Sequence, residues 1–390
     1  MTTTKNNEHK NIKVPNSTDK GNVIRNVPNL RFPEFEEEWE KCKLDDVMSF
    51  STTRISSSGL NSRNYVSTEN MLQDFQGVIE AKSVPEDMNV ISFSCGDILI
   101  SNIRPYLKKV WKATFNGGCS SDVFVLQANG KIDSDYLHFV IANDKFISFV
   151  MSGAKGVKMP RGDKNQMKTY SLSLPQIQEQ HKIARLLSLL DERIATQNKI
   201  IDKLQSLIKG ISSKIFASIK GVEYRMGDIA TITNGNSNVQ DAIAEVKEGL
   251  YPFFDRSEDI KFLPTFLFDK EAIIYPGEGA DFMPRYFKGK FALHQRCYAI
   301  FDFNEIINAQ FLYFYLRTKN SYFIRNAVGS TVPSLRLDTF QKLKVVIPSK
   351  NTQHSVSLCL SCIEQKCYLE NEILQTLLKQ KQFLLRQMFI

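Results

Sequence analysis

The stretch QEQHKIARLLSLLDERIATQNKIIDKLQSLIKGISSKIF, residues 178–216, decides the fold of this chain. Large apolar residues recur in it at an unbroken seven-residue step, and others form a neighbouring seam. The first set is Leu187, Ile194, Ile201, Ile208 and Ile215, and the second is Leu190, Leu204 and Ile211. This pattern predicts a coiled-coil helix. Such a helix would be about 55–60 Å long, more than one domain needs for its own core, so we expect it to project or bridge.

The chain repeats this helix near its carboxyl end. Residues 156–216 align with residues 329–389 without a gap, with 11 identities in 61 positions, which indicates an internal duplication. The second copy of the helix, residues 352–389, has two matching seams. These consist of Leu360, Cys367, Leu374 and Met388, and of Ile363, Leu377 and Leu384. Two such helices most simply pair with each other, and an approximate twofold axis requires an antiparallel pair.

Each helix follows a region in which short apolar runs of strand length mix with helical patterns. Residues 90–93, 97–101 and 123–126 read as strands, and residues 132–151 read as a helix. The fold class is therefore α+β, with two globular α+β domains in a pseudo-twofold repeat, separated by two long antiparallel coiled-coil helices. The predicted boundaries are 1–29 for a flexible polar tail, 30–174 for the first domain, 175–220 for the first helix, 221–348 for the second domain and 349–390 for the second helix.

Composition narrows the class of protein. The net charge of +8 and the pI near 8.9 favour a polyanionic partner. No run approaches the ~20 apolar residues of a membrane span, and the amino-terminal residues have no hydrophobic signal core, so we expect a cytoplasmic protein without membrane contact. The 7 cysteines are odd in number and irregularly spaced, which predicts reduced thiols.

The motifs of an enzyme are missing. The sequence has no Pro-Pro pair, which the active-site motif of a base methyltransferase requires, and no glycine-rich loop ending in Gly-Lys-Ser/Thr, which an ATPase requires. A dinucleotide-binding loop beginning at Gly277 is also excluded, because Phe282 occupies the position of its third glycine. One cluster could suggest zinc, namely His354, Cys359, Cys362 and Cys367. These residues would spread around a helix, so we predict apolar packing and no metal. His181 and His354 are each preceded by Gln. Both are predicted to form a hydrogen bond or to pack at the start of a long helix rather than to take part in catalysis.

Three segments carry a resemblance to a known family. They are LRFPEFEEEWEKCKLDDV at residues 30–47, SLSLPQIQEQHKIARLLSLLDERIATQNKIIDKLQSL at residues 171–207, and the diverged second copy. Together they resemble the specificity subunits of type I DNA restriction-modification systems over residues 30–390. One departure is that the second copy lacks an acidic residue corresponding to Glu179.

The resemblance implies two target-recognition domains, each reading one half of a gapped sequence in double-stranded DNA. The long helices would act as spacer and as docking surface for two modification subunits. Those subunits would carry S-adenosylmethionine and methylate adenine, and restriction subunits would use ATP and Mg²⁺ for translocation and cleavage. This chain would be non-catalytic and would hold no cofactor.

DNA recognition needs side chains that reach base edges and phosphates, so polar and basic residues in loops are the candidates. In the first domain they are Asn102, Arg104, Tyr106, Lys108 and Lys109, with Lys155, Lys158, Arg161 and Lys164 in a glycine-rich segment. In the second domain the predicted counterparts are Arg285, Tyr286, Lys288 and Lys290, with Ser330, Thr331, Ser334 and Arg336 beside Gly329. The spacer residues are Leu187, Ile194, Ile201, Leu204, Ile208, Ile215, Leu360, Leu374, Leu377 and Leu384.

Two alternatives stay open at this point. Any one of the basic residues could be a solvated surface charge. The chain as a whole could be a non-catalytic coiled-coil scaffold for protein partners, without sequence-specific DNA recognition. A catalytic fusion is disfavoured by the missing motifs.

Overall fold

The computed structural model of the protein describes residues 26–390. The chain divides into two compact units: the first unit runs up to Arg193 and includes Leu377–Ile390, and the second unit is Ile194–Thr376. Most of the predicted tail, residues 1–25, lies outside the described residues. Within the remainder, the backbone N–H of Trp39 donates to the carbonyl of Asn26 at 2.9 Å. Asn26, which falls within the predicted tail, therefore contacts the first domain.

In both halves of the chain a run of strands precedes a group of helices. The first half contains β1 (Glu40–Lys43), β2 (Met48–Phe50), β3 (Arg54–Ser56), β4 (Tyr65–Val66), β5 (Asn89–Phe93), β6 (Ile98–Ser101), β7 (Val110–Lys112), β8 (Gly117–Cys119), β9 (Val123–Ala128), α1 (Ser134–Ile141), α2 (Asp144–Ser152), α3 (Lys164–Lys168), β10 (Ser171–Leu174) and α4 (Ile177–Ser218). The second half contains β11 (Val222–Arg225), α5 (Met226–Ile229), β12 (Thr231–Asn234), β13 (Tyr251–Phe254), β14 (Lys261–Leu263), β15 (Phe268–Pro276), β16 (Arg285–Leu293), β17 (Cys297–Phe301), α6 (Ala309–Arg317), α7 (Asn320–Asn326), α8 (Leu337–Gln341), β18 (Lys344–Ile347) and α9 (Lys350–Gln387).

The first unit is built on two four-stranded sheets, in the orders β2-β9-β6-β7 and β3-β5-β8-β4. Successive side chains of a strand point to opposite faces. Accordingly, Ile98 and Ile100 of β6 enter the core that contains α1 and α2, whereas Leu99 enters a separate core with Phe93 of the second sheet. Antiparallel pairing of β1 with β10 closes the unit next to the start of α4.

The helix predicted over residues 132–151 is two helices, α1 and α2. The break lies at Asn143, whose side-chain Oδ1 accepts a hydrogen bond of 3.0 Å from the backbone N–H of Lys145. A side-chain acceptor of this kind starts a new helix because it satisfies one of the free N–H groups of the first turn. The apolar periodicity continues through the break, so periodicity alone could not reveal it.

The second unit repeats this plan with one larger sheet, six-stranded in the order β12-β17-β15-β16-β13-β14. Ile273 and Tyr275 of β15 face the core that contains α6, and Ala272 and Ile274 face the opposite core. Antiparallel pairing of β11 with β18 closes the unit, as β1 and β10 do in the first. The strand order β2-β9-β6-β7 therefore corresponds to β12-β17-β15-β16.

The two long helices are confirmed, and they are antiparallel within each unit. In the first unit Leu187 of α4 shares a core with Met388 of α9, and Asp191 pairs with Lys381 at 2.6 Å. In the second unit the side-chain nitrogen of Gln197 donates to the carbonyl of Glu370 at 2.8 Å. An apolar cluster there contains seam residues of both helices: Ile201, Leu204, Ile208, Ile363, Cys367 and Leu374.

The apolar packing predicted for the cysteines that could suggest zinc is found for only one of them. Cys367 lies in the apolar cluster of the helix pair, whereas Cys359 and Cys362 are exposed. Throughout residues 26–390, no three His, Cys, Asp or Glu side chains lie together as metal ligands would. Over the same residues no helix has the length and apolar character of a membrane span.

Candidate nucleic-acid interface

Two segments meet beyond the carboxyl end of β6 in the first unit. We call residues 102–109, between β6 and β7, the first loop, and residues 154–162, after α2, the first hairpin. The backbone N–H of Arg104 donates to the carbonyl of Pro160 at 2.8 Å, and that of Gly162 donates to the carbonyl of Asn102 at 2.8 Å. The first loop and the first hairpin therefore form one continuous surface.

The first hairpin is a defined structure rather than a free loop. Lys155 and Arg161 exchange two backbone hydrogen bonds, of 3.0 and 2.9 Å. The chain reverses at Gly156, whose φ of +94° is a left-handed conformation that side chains disfavour. A Cβ at this position would also lie 3.2 Å from the carbonyl oxygen of Met159. The glycine is therefore required for the turn.

The first loop is held in a strained conformation. Arg104 and Lys108 have φ values of 49° and 52°, and they bracket the short 3₁₀ helix Pro105–Leu107. Left-handed non-glycine residues of this kind cluster at functional sites. Between them Tyr106 projects into solvent, with 48% of its surface exposed. The strain thus presents an aromatic side chain beside two cations.

Most of the predicted cations of the first domain are on this surface. Three of them form ion pairs at the edge of the surface: Lys155 with Asp163 at 3.0 Å, Arg161 with Asp122 at 3.1 Å, and Lys108 with Asp144 at 2.8 Å. Exposed pairs contribute little to stability, so these cations can exchange their partners for phosphate at small cost. Arg104 and Lys158 are exposed, and neither has an ion-pair partner among residues 26–390.

Three other residues predicted to bind DNA are partly or fully buried within the first domain. The Nζ of Lys109 donates to the carbonyl of Thr68 at 2.6 Å, and the Nζ of Lys164 lies 4.8 Å from the ring centroid of Phe124. Burial lowers the pKa of both lysines. Asn102 is buried, and its Oδ1 has no hydrogen-bond partner within the described part of the chain.

The second unit has the same arrangement of backbone. We call residues 277–284, between β15 and β16, the second loop, and residues 327–335 the second hairpin. The N–H of Gly279 donates to the carbonyl of Pro333 at 3.0 Å, and that of Leu335 donates to the carbonyl of Gly277 at 2.8 Å. Gly329 takes the place of Gly156, with a φ of +103°. Each bond in the first unit thus has an equivalent in the second.

This equivalence corrects the prediction that residues 285–290 are the counterpart of residues 102–109. The structural counterpart is the second loop, GEGADFMP, whereas Arg285, Tyr286, Lys288 and Lys290 lie on strand β16. The prediction matched basic residues with basic residues. Topology matches the β6–β7 connection with the β15–β16 connection, whatever charge each carries.

One pair of predicted residues is equivalent after all. Arg285 begins β16 and donates from Nη1 to the carbonyl of Ser257 at 2.9 Å, and burial lowers its pKa. Lys109 precedes β7 and donates to Thr68 in the same way. Thr68 and Ser257 follow β4 and β13, which pair in parallel with β8 and β16. In each unit a basic side chain therefore donates a hydrogen bond to the loop that follows β4 or β13.

The other predicted residues of β16 differ in exposure. Tyr286 donates a hydrogen bond to the carboxylate of Glu271, and its pKa is raised by burial and by that carboxylate. Lys288 is exposed and lies opposite Glu271 in the β15–β16 register. The Nζ of Lys290 lies 4.9 Å from the ring centroid of Phe266. The two lysines remain accessible to a ligand, whereas the hydroxyl group of Tyr286 is hydrogen-bonded to Glu271 within the domain.

The second hairpin presents hydroxyl groups instead of charges. Ser330 and Thr331 are exposed at its turn, and Arg336 is exposed just before α8. Ser334 is held by two backbone hydrogen bonds to Val328, of 2.9 and 2.8 Å. The exposed residues are free to contact a ligand, and Ser334 mainly fixes the shape of the hairpin.

Sequence reasoning missed the acidic residues of the second loop. Glu278 pairs with Arg296 at 2.7 Å, and Asp281 is exposed. It also missed Val157 and Met159, which are exposed in the first hairpin. The spacing from strand to loop to hairpin, which is nearly the same in the two copies, is the signal in the sequence that could have identified these residues.

The net positive charge of the chain does not come from the two globular domains. Residues 30–174 have 17 Lys and Arg against 18 Asp and Glu, and residues 221–348 have 15 of each. By contrast, residues 175–220 have 8 Lys and Arg against 4 Asp and Glu. Any attraction of the domains for a polyanion therefore depends on where their charges lie rather than on their sum.

Comparison with known proteins assigns the chain to a family. The family model described as the type I restriction modification DNA specificity domain matches residues 36–206 and again residues 220–379. The chain belongs to this family. Each of the two specificity-domain matches contains one loop and one hairpin of the kind described above, so the repeated surface is a feature of the repeated domain.

Relatives of known name agree with the specificity-domain assignment. The chain is 27% identical over 225 residues to the type I restriction enzyme EcoDI specificity subunit of Escherichia coli, covering 55% of this chain and 50% of that protein. It is 36% identical over 107 residues to the MjaVIII specificity subunit of Methanocaldococcus jannaschii, covering 27% of this chain and 24% of that protein. The aligned regions thus span half or less of these relatives.

Solved structures show that the specificity-domain fold extends over nearly the whole chain. The S subunit of a type I restriction-modification system from M. genitalium superposes with a TM-score of 0.65 at 17% identity, covering 93% of this chain and 99% of that one. A chain from a study of complex assembly and conformational transition of the type I R-M system superposes with a TM-score of 0.53 at 16% identity, covering 89% and 96%. At such low identity the likeness concerns the fold alone.

Proposed function

We propose that this protein is the non-catalytic subunit that selects the DNA target of a type I restriction-modification system. Each recognition domain reads one half of a bipartite, gapped sequence in double-stranded DNA. The observation that carries this proposal is the doubled specificity-domain match, in which each copy presents its own loop-and-hairpin surface. A family described as a DNA specificity domain favours this function over that of a protein scaffold.

The recognition surfaces suit this task chemically. The first surface offers Arg104, Lys158 and Tyr106, which can contact phosphates, guanine edges and exposed bases. The second offers the hydroxyls of Ser330 and Thr331 and the carboxylate of Asp281, which can accept from the amino group of cytosine. The two surfaces have different chemistry, so the two half-sites should differ in sequence.

The helices α4 and α9 would act as a spacer. With 42 residues, α4 is about 63 Å long, close to two turns of DNA. Its seam residues are used for packing within the chain, since Ile201 and Ile208 are buried against α9. A helix pair fixed in this way resists a change of length and would set the number of base pairs between the half-sites.

Partner subunits would dock on apolar helix residues that the chain itself leaves uncovered. In the second unit these are Ile200, Leu207, Leu358, Leu369 and Ile373. Ile200 and Ile373 occupy equivalent positions in the two copies, so two identical modification subunits could each use one of them. Those subunits would bind S-adenosylmethionine, and restriction subunits would bind ATP and Mg²⁺. The complex would act in the cytoplasm, where its DNA is found.

Mapping of methylated adenine in cells tests the proposal. Cells that express this chain with its modification subunit should methylate one bipartite sequence, and cells that lack either subunit should not. Exchanging residues 44–170, which lie between the closing strands β1 and β10, for those of a relative should change one half of that sequence only. A matched exchange of residues 226–343, between β11 and β18, should change the other half.

The same experiment separates the alternatives. Complexes that form but methylate without sequence preference would support the scaffold and overturn the proposal. Methyl transfer by the purified chain alone would overturn its non-catalytic role. An insertion in α4 near residues 202–211 should change the gap and leave the half-sites unchanged.

A further inference from the structure

The two hairpins share one backbone and differ in charge. Their internal hydrogen bonds and their bonds to the loops correspond one to one, and both turn at a glycine in the left-handed region. The first hairpin, AKGVKMPRG, has three cations, and the second, AVGSTVPSL, has no charged residue. The first loop adds Arg104 and Lys108 to its surface, whereas the second adds Glu278 and Asp281.

The first hairpin also exposes apolar side chains at its turn. Val157, between Lys155 and Lys158, is completely exposed, and Met159, between Lys158 and Arg161, is about half exposed. Proteins that enter a DNA groove commonly combine apolar side chains that contact bases with flanking cations on the phosphates. The positive charge beside these apolar residues favours a polyanion as the occupant over a protein surface.

We propose that the first hairpin enters a DNA groove and supplies most of the salt-dependent affinity of the protein, whereas the second hairpin contacts its half-site without ion pairs. This inference rests on the proposed function. In it, Lys155, Lys158 and Arg161 contact phosphates, and Val157 and Met159 contact bases. The two hairpins then contribute unequally to affinity: the first acts largely through charge and the second largely through hydrogen bonds.

The dependence of DNA affinity on salt measures the proposed asymmetry. Each phosphate contact contributes about 0.9 to the slope of log K against log salt. The probe is a fluorescein-labelled duplex carrying the mapped target, bound by the complete methyltransferase complex. Lys158→Thr should reduce the slope by about 1, and the triple variant Lys155→Gln, Lys158→Gln, Arg161→Gln by up to about 3. Ser330→Ala with Thr331→Ala should weaken binding without changing the slope.

A reciprocal substitution provides the matched control. Thr331 occupies the position equivalent to Lys158, so Thr331→Lys should make the slope steeper by about 1 and partly compensate for Lys158→Thr. Both residues are exposed, and neither change should affect folding. Val157→Ser should reduce affinity for the target while leaving the slope unchanged, because an apolar contact releases no counterions.

Three results would overturn the inference. An unchanged slope in the triple variant, in a complex that still methylates its target, would refute the role of the hairpin and leave the proposed function intact. Loss of complex assembly in that variant, measured by sedimentation, would mean that the hairpin binds a partner subunit instead. Absence of sequence-specific DNA binding by the wild-type complex would refute the inference and the proposed function together.

Discussion

The side-chain oxygen of Gln180 accepts a hydrogen bond of 2.8 Å from the backbone N–H of Asp133. The same glutamine donates to the carbonyl of Pro175 at 2.9 Å. In the second unit Gln353 repeats both contacts, accepting from Asn308 at 2.8 Å and donating to Pro348 at 3.0 Å. One buried side chain in each copy thus joins the start of a long helix to the N-cap residue of the helix that packs beside it.

Loss of this glutamine should destabilise the unit that contains it. Gln180→Ala leaves a buried N–H and a buried carbonyl without partners, and we expect the free energy of unfolding to fall by about 1–3 kcal/mol. Gln353→Ala should have a similar effect in the second unit. The exposed Gln178 is the matched control, and Gln178→Ala should change stability by less than about 0.5 kcal/mol. Urea denaturation measures all three, and an effect as small as that of the control would show that the contact is not needed.

The first helix start should depend on an ion pair that the second helix start lacks among residues 26–390. Arg31 donates from Nε and Nη2 to the buried carboxylate of Glu179 at 2.8 Å each, and these hydrogen bonds raise the pKa of Arg31. Arg31→Ala leaves a buried charge unpaired and should cost about 3–5 kcal/mol. Adding Glu179→Gln should restore part of the loss, because the double variant buries no charge. Thr352, which is exposed at the equivalent position of the second copy, should tolerate Ala.

Adjacent residues of α4 should separate folding from partner docking. Ile208 is 8% exposed in the helix-pair cluster, whereas Leu207 is 48% exposed. Ile208→Asp buries a carboxylate and should lower stability by about 3 kcal/mol or more. Leu207→Asp should leave the thermal midpoint within a few degrees but weaken binding of the modification subunit, measured by titration calorimetry. Equal binding by Leu207→Asp and the wild type would contradict the proposed docking surface.

Acid should destabilise the first unit through His138. Burial, with smaller effects from Lys381 and Lys112, lowers the pKa of His138 from 6.5 to about 3. Below pH 6.5 the unfolded chain therefore binds a proton that the folded chain does not, so this stability is present above pH 6.5 and is lost as pH falls toward 3. The loss at pH 5 is on the order of 2 kcal/mol. Urea denaturation of His138→Leu should lack this component, and an equal loss in the variant would refute the assignment.

Local patterns were enough to predict much of the fold. The seven-residue apolar step of α4 and α9 depends only on neighbouring turns of one helix. The bounds of the two helices lie within two residues of the stretches that carry this pattern, 178–216 and 352–389. The sequence also shows that Gln180 and Gln353 occupy equivalent positions in the two copies. The break at Asn143 could not be predicted in this way, because a side-chain cap interrupts a helix without interrupting its apolar period.

The loop-and-hairpin surfaces are formed by contacts between residues far apart in the sequence. The sequence by itself determined the duplication, the long helices and the family, because these rest on local periodicity and on residue identity. Only the tertiary structure decided that residues 277–284 correspond to residues 102–109. It also decided that the half-buried side chains of Lys109, Lys164 and Arg285 make contacts within their own domains. The physical reason is that exposure and charge environment are set by strand pairing and packing across the chain. The residue type of a lysine or arginine does not reveal whether it faces water, a ring or a backbone carbonyl.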